Sequence, residues 1–199
     1  MIIIKRKRII LHLDPKKSPS DNLNLLYKKY RKAKKGLEFA NERKIKILED
    51  QKYLDEVLNF LIKENDYLGL EEIEDELGLK KKIENKKNKI KKRELLKYVY
   101  NGYEIFVGRN HTENNHLTFE KAKNNDIWLH VRDIPGSHVI IVTNKKKVDQ
   151  DTLYYAAGLA ALHSKGEGRK IIDYTERSNV KRTNKFGNVT FNNFKSIEV

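Results

Sequence analysis

Apolar residues recur along the first third of the chain at alternating steps of three and four. The series is Leu23, Leu26, Tyr30, Ala33, Leu37, Ala40, Lys44, Ile47, Gln51, Leu54, Leu58 and Leu61, and ten of its twelve members are apolar. That is the spacing of a heptad seam on one continuous helix. No proline interrupts it, and its one glycine, Gly36, lies off the seam. Such a helix is roughly 65 Å long at 1.5 Å per residue, which favours a coiled coil over a helix packed on one small domain. Its start is marked by Ser18, Pro19 and Asp21. The serine can cap, proline suits the first helical position, and the acid complements the helix dipole.

A seam needs a facing helix. The stretch "LEEIEDELGLKKKIENKKNKIKKREL" offers Leu70, Ile73, Leu77, Ile83 and Ile90, a thin stripe that can cover the last third of the seam. The remainder predicts self-association or a place in a longer protein. Before the helix, residues 1–14 read as one or two short strands, broken by "DPKKSPSDN". After it, residues 80–97 hold ten Lys/Arg and two Glu, which fits a solvated linker or a phosphate-facing basic arm.

From Tyr98 the period changes from helical to alternating. "GYEIFVGRN", "DIWLHV", "HVIIVTN", "KIIDYTE", "NVTF" and "KSIEV" predict strands. "LTFEKAKNN" predicts a short helix capped by Thr118, and "DQDTLYYAAGLAALHSKG" a longer one with Gly166 just past its end. The expected fold class is α+β: a long coiled-coil helix (a helical hairpin) followed by a small mixed α/β domain. The expected segments are an N-terminal strand segment (1–17), a coiled-coil helical region (18–79), a Lys-rich linker or helix (80–98) and the α+β domain (99–199).

Charge changes this picture most. The 199 residues carry 35% charged and 38% hydrophobic residues, too little core material for a single compact ball. The formal net charge is +14 and the pI about 9.6. Residues 1–98 hold 27 basic and 17 acidic residues, and residues 99–199 hold 15 and 11. One reading is a soluble protein with Lys-rich codon usage. The other is a polyanion partner, nucleic acid above all or else an anionic membrane surface. The chain has no cysteine, which excludes disulfides, thiolate metal sites and a Cys nucleophile. "MIIIKRKRIILHLD" is too short and too charged for a signal peptide or a membrane span, so a cytoplasmic location is expected.

The rare residues gather in "NNDIWLHVRDIPGSHVIIV", residues 124–142, which holds the only tryptophan. Alternation puts Ile127, Leu129 and Val131 on one face, a core face. Asp126, Trp128, His130 and Arg132 fall on the other. Trp and His can stack on a base, Arg can fork onto phosphate, and Asp can orient either. Equally, Trp128 and His130 can be packing residues under a second layer near Ala156–Ala160. Pro135-Gly136 predicts a type II turn. His130 and His138 lack a metal-ligand spacing. Ser137, His138 and Asp133 lack the geometry of a hydrolase, because no nucleophile-elbow pattern surrounds them.

These residues carry a resemblance. "ILHLDPKKSPSDNLNLLYKKYRKAKK", "YEIFVGRNHTENNHLTFEKAKNNDIWLHVRDIPGSHVII", "TLYYAAGLAALHSK" and "DYT" resemble, in order, the C-terminal half of the NFACT family, the fibronectin-binding protein A-like and RqcH-like proteins. "DIWLHVRDIPGSHV" is the most specific run and belongs to the domain called NFACT-R. The resemblance implies an RNA-binding part of a ribosome quality control factor. Such factors bind stalled large ribosomal subunits and tRNA and support C-terminal tailing of nascent chains. It implies no cofactor and no enzymatic activity of the chain itself. It also implies that the chain holds the returning coiled-coil helix and NFACT-R, without NFACT-N. The RNA-contacting residues would be Arg109, Asn110, Asp126, Trp128, His130, Arg132, Asp133, Ser137, His138, Arg177, Lys181 and Arg182. One departure stands out: "NVKRTNKFGNVTF" lacks the proline and methionine usual in that loop of the family.

The partners expected on this reading are the large ribosomal subunit and tRNA, with the missing N-terminal half or a second copy along the coiled coil. Two other readings remain open: a fibronectin- or fibrinogen-binding adhesin, and a coiled-coil scaffold for protein partners.

Overall fold

The computed structural model describes residues 2–4, 7–9, 11–79, 93–183 and 187–199. Most of the predicted linker, 80–98, lies outside the described residues. The chain divides into two units, Met1–Gln51 and Lys52–Val199.

In the first unit, β1 (Ile2–Ile4) and β2 (Lys7–Ile9) pair antiparallel. Helix α1 (Pro19–Lys63) begins where the sequence marks it. The Ser18 Oγ accepts from the Asp21 N–H at 3.1 Å and donates to the Asp21 carboxylate at 2.6 Å. Asn22, buried one turn in, accepts from the Asp14 N–H and donates to the carbonyls of Asp14 and Ser18, tying the incoming chain to the helix. The seam residues Leu23, Tyr30, Leu37 and Ile47 are exposed.

In the second unit, α2 (Tyr67–Glu76) turns back on the end of α1. It meets α1 through Tyr53, Val57 and Phe60, against Ile73 and Leu77. This corrects the expected pairing. Leu54, Leu58 and Leu61, the seam positions, stay exposed. The buried stripe sits one residue earlier, a rotation of about 100° around the helix. Asn59 and Phe60 are both buried, so this end of α1 is covered more widely than a two-position seam.

The domain proper is a six-stranded antiparallel sheet in the order β10-β7-β5-β6-β4-β3. Its strands are β3 (Leu96–Tyr100), β4 (Tyr103–Val107), β5 (Ile127–Val131), β6 (Val139–Val142), β7 (Ile171–Glu176) and β10 (Lys195–Glu198). Helix α4 (Gln150–Leu162), capped by Asp149, covers one face. There Ile105, Val107, Leu129, Val131, Val139, Ile141 and Ile172 pack on Ala156, Ala157 and Ala160. The small alanines let the helix lie close to the sheet.

The opposite face is covered too. Helix α3 (His111–His116), a π-helical turn at Leu117–Lys121 and the hairpin of β8 (Val180–Arg182) and β9 (Val189–Phe191) lie over it. The register aligns Phe106, Ile140, Trp128 and Thr175 across four neighbouring strands. The first three, with Leu117 and Val180, form a second core. The domain therefore has three layers, and both faces of its central strands are apolar.

Candidate nucleic-acid interface

The sheet's second core decides what β5 can present. Trp128 is fully buried, with its ring 5.2 Å from His138, 5.8 Å from His130 and 4.8 Å from Phe191. Of the two readings of this face, the exposed Trp–His–Arg one is corrected: Trp128 is the centre of a core, and the layer over it is the β8–β9 hairpin, not the helix of Ala156–Ala160, which packs on the opposite face. Asp126 is buried at the strand's start, accepting from the Lys123 and Thr143 N–H groups at 2.8 and 2.9 Å. It holds two loops together.

His138 is buried between Thr118 and Asn114. The Thr118 hydroxyl lies 2.8 Å from Nδ1, and the backbone N–H donates to Asn114 Oδ1 at 2.9 Å. Burial, then the nearby His130 and His111, pushes the His138 imidazole well below its ordinary pKa. Burial likewise lowers His130. Both are neutral packing residues at pH 7. Thr118 is not a helix cap: it lies inside the π-helical turn, and Asn110 caps α3 instead, accepting from the Glu113 N–H at 2.7 Å. Asn110 also donates to Glu72 at 2.7 Å.

The Pro135-Gly136 turn differs from a type II turn as well. Asp133, exposed, takes the positive φ of 55°, and Gly136 does not. Gly136 is needed for closeness: a Cβ there would lie 2.8 Å from Val131 Cγ1 and 3.0 Å from Ser164 Cβ. Ser137, buried beside it, reaches only the His163 carbonyl among the described residues, at 3.5 Å.

Two of the predicted arginines are engaged within the fold. Arg109 forks onto Glu113 at 2.9 and 2.6 Å and donates to the Glu94 carbonyl. Arg132 forks onto Asp173 at 3.0 and 2.5 Å, donates to Ser196, and lies 5.7 Å from the Phe194 ring. Its side chain keeps 37% exposure, so part of the guanidinium still faces water.

Of the remaining three basic residues, Arg177 and Arg182 meet at one aromatic ring. The Arg177 and Arg182 guanidiniums lie 5.3 and 4.6 Å from the Phe119 ring centroid. Arg177 also donates to the Thr118 carbonyl at 2.8 Å, which fixes its place. Lys181 and Arg182 are exposed on β8. On the same π-helical turn as Phe119, Lys121 Nζ sits 4.0 Å from the Phe106 ring. The π-helical turn brings Phe119 and Lys121 here. Neither was signalled by sequence, because "LTFEKAKNN" reads as an ordinary amphipathic turn. The surface combines cations with an aromatic edge, the pairing that binds phosphates and stacks on bases.

A second cluster ties the end of α1 to the domain. His111, 1% exposed, lies between Glu76 (Nδ1 to Oε1, 2.6 Å) and Glu56 (Nε2 to Oε2, 2.8 Å). Tyr53 stacks on its ring, and Phe60 meets it edge-on. Burial alone would lower the imidazole's pKa, but the two carboxylates together outweigh it and hold it at about 9. His111 is thus an imidazolium donating to both acids. Burial and the Glu76 carboxylate push Tyr53 up to about 12, and its hydroxyl donates to Glu76 at 3.0 Å. Lys63, lowered by burial and by Lys170, donates to the Leu162 and Ser164 carbonyls at the end of α4.

This arrangement has known counterparts. Residues 96–193 match the family model for the NFACT protein RNA binding domain, and residues 3–95 match that for the NFACT N-terminal and middle domains. The solved C-terminal structure of the fibronectin/fibrinogen-binding protein from Streptococcus suis superposes with a TM-score of 0.77 at 30% identity, covering 90% of this chain and 76% of that one. The chain belongs to the NFACT family. An Rqc2 homolog RqcH of Bacillus subtilis is 34% identical over 96% of this chain, and one of Streptococcus pneumoniae serotype 2 is 30% identical over 96%. The chain spans 35% and 36% of those two relatives. Within the NFACT domain, then, the signature run "DIWLHVRDIPGSHV" is mostly scaffold, and the exposed basic surface lies on the segments that follow α3 and β7. Among the described residues no helix is long and apolar enough to cross a membrane.

Proposed function

We propose that this chain is the RNA-binding part of a cytoplasmic ribosome quality control factor, and that it contacts RNA through Lys121, Arg177, Lys181 and Arg182 around Phe119. The observation that carries this reading is the Phe119 ring flanked by two guanidiniums, with Lys121 exposed on the same π-helical turn and Lys181 exposed next to Arg182 on β8. The RNA-binding description of the matching family domain and the RqcH relatives support it. On this reading the RNA is that of the large ribosomal subunit and tRNA. The exposed seam of α1 serves as one strand of a coiled coil, and the protein supports C-terminal tailing without catalysing peptide transfer itself.

Lys181→Ala/Arg182→Ala tests it. Both side chains are exposed on a hairpin, so the fold is retained. Each lost phosphate contact removes about 0.7 to 0.9 from the slope of log affinity against log salt. The double variant should bind tRNA and large subunits about tenfold or more weakly at low salt, with a shallower salt slope. Unchanged affinity and slope would refute the assignment of this surface.

Adhesion to fibronectin is the second reading, favoured by the likeness to the Streptococcus suis protein. Fibronectin binding that persists at ~0.5 M salt, where bulk electrostatics are screened, would support it. Binding that vanishes there would be the nonspecific attraction of a basic protein.

A further inference from the structure

The end of the sheet away from the Pro135-Gly136 turn carries a cavity that the RNA reading leaves unused. It has a volume of about 350 Å³, in the range of small-ligand pockets, and is lined by Lys123, Asn124, Asn125, Asp126, Thr143, Asn144 and Lys145. Two loops build it. One is the run into β5, braced by Asp126. The other is the tight turn after β6, in which Asn144 and Lys145 hold φ of 47° and 66° and the Lys146 N–H donates to the Thr143 carbonyl at 2.9 Å. That is a type I′ turn, and asparagine is among the residues that tolerate it.

The lining side chains divide into two sets. Asp126 spends its oxygens inward, on the Lys123 and Thr143 N–H groups and the Thr143 hydroxyl. Asn124 accepts from Arg177 at 3.3 Å, so the cavity adjoins the Arg177–Phe119 surface. By contrast, the amides of Asn125 and Asn144 and the amines of Lys123 and Lys145 have no protein partner among the described residues. All four residues are exposed. Two uncommitted amides and two uncommitted amines around one small cavity offer paired donor–acceptor edges beside positive charge. A nucleobase edge needs the first and a phosphate the second.

Resting on the RNA-binding reading, we propose that this cavity holds one unpaired nucleotide of a bound RNA. Its phosphate lies between Lys123 and Lys145, and its base edge meets Asn125 and Asn144. The Arg177–Phe119–Arg182 surface takes the adjoining backbone, so the strand runs from that patch onto the sheet end.

The test uses the whole chain and two labelled RNAs of equal length, an unstructured single strand and a blunt-ended, fully paired duplex, read by fluorescence anisotropy. Asn125→Ala/Asn144→Gly deletes both amides, and glycine keeps the positive φ of the turn. Expected is a loss of about fivefold or more on the single strand, the low end of a base-edge contact, with the duplex unchanged. Lys123→Ala/Lys145→Ala should weaken both RNAs and flatten the salt dependence. Wild-type affinity of the amide variant for the single strand overturns the proposal. If that happens while Lys181→Ala/Arg182→Ala still loses binding, the RNA-binding reading stands and only the pocket is lost. If the wild-type chain binds neither RNA at low salt, both fall.

Discussion

Raising the pH through the range in which His111 loses its proton should loosen the join between the end of α1 and the domain. The imidazole is held at about 9, against an ordinary 6.5, because the carboxylates of Glu76 and the partly buried Glu56 accept from its two nitrogens. The gap is about 2.5 pH units, and at 1.36 kcal/mol per unit the proton couples to folding by on the order of 3 kcal/mol. The sign follows from the raised pKa. The contribution is complete below 6.5, the unfolded value, and is lost as pH climbs through about 9. Urea unfolding followed by far-UV circular dichroism between about pH 6 and about pH 10 reads the loss. Lys63 and Lys170, both lowered by burial, titrate in the opposite sense, so the informative quantity is the difference between the wild type and His111→Gln. That difference should be largest at low pH and shrink through the window. The His111 ring protons, followed by NMR, should move with a midpoint near 9, falling in Glu56→Gln. A midpoint below 7, or a pH-independent difference between the two proteins, would refute the reasoning.

Three further outcomes follow from the packing. Trp128→Ala should cost about 3 to 5 kcal/mol by removing the centre of the second core, whereas Trp128→Phe should cost under about 1.5, because the buried indole N–H has no partner to lose among the described residues; chemical denaturation of the pair checks both. Gly187→Ala should destabilise the β8–β9 hairpin by more than about 1 kcal/mol, since Gly187 holds φ of 81° and a Cβ would lie 2.2 Å from His111 Cδ2; a melting temperature equal to wild type would contradict it. Ser18→Ala should cost about 1 kcal/mol at the start of α1, seen as faster hydrogen exchange of the first-turn amides including Asp21.

The helix start at Ser18 and the strands with strict alternation were legible in the sequence, because capping and pleat periodicity are local. The same alternation rule left Trp128 open between a wet face and a packed one. The rule assumes that a strand has one wet face, and here both faces are covered. "HVIIV" already hinted at this, since a run without polar alternation fits a strand buried on two sides. Arg109, Asn110 and Asp126 were expected as RNA contacts through the family resemblance, yet their partners Glu113, Glu72 and Thr143 make them braces. The His111 cluster left no local trace, as Glu76 and Glu56 lie 35 and 55 residues away. The rotation of the buried stripe on α1 was hidden for a related reason. Tyr53, Val57 and Phe60 form as good a helical row as Leu54, Leu58 and Leu61, and only the docking of α2 and the domain chooses between them. Phe119 and Lys121 reach the basic surface through a π-helical turn, a local geometry that no residue pattern in "LTFEKAKNN" announces.

Burying the chain's single tryptophan beneath the β8–β9 hairpin has an optical consequence. All indole emission arises from one site, in an apolar layer beside Phe191 and two neutral imidazoles. Its wavelength and quenching therefore report on that layer alone and are silent about α1. A label-free spectrum can follow the opening of the hairpin that carries Lys181 and Arg182, while the helical arm is watched separately in the far ultraviolet.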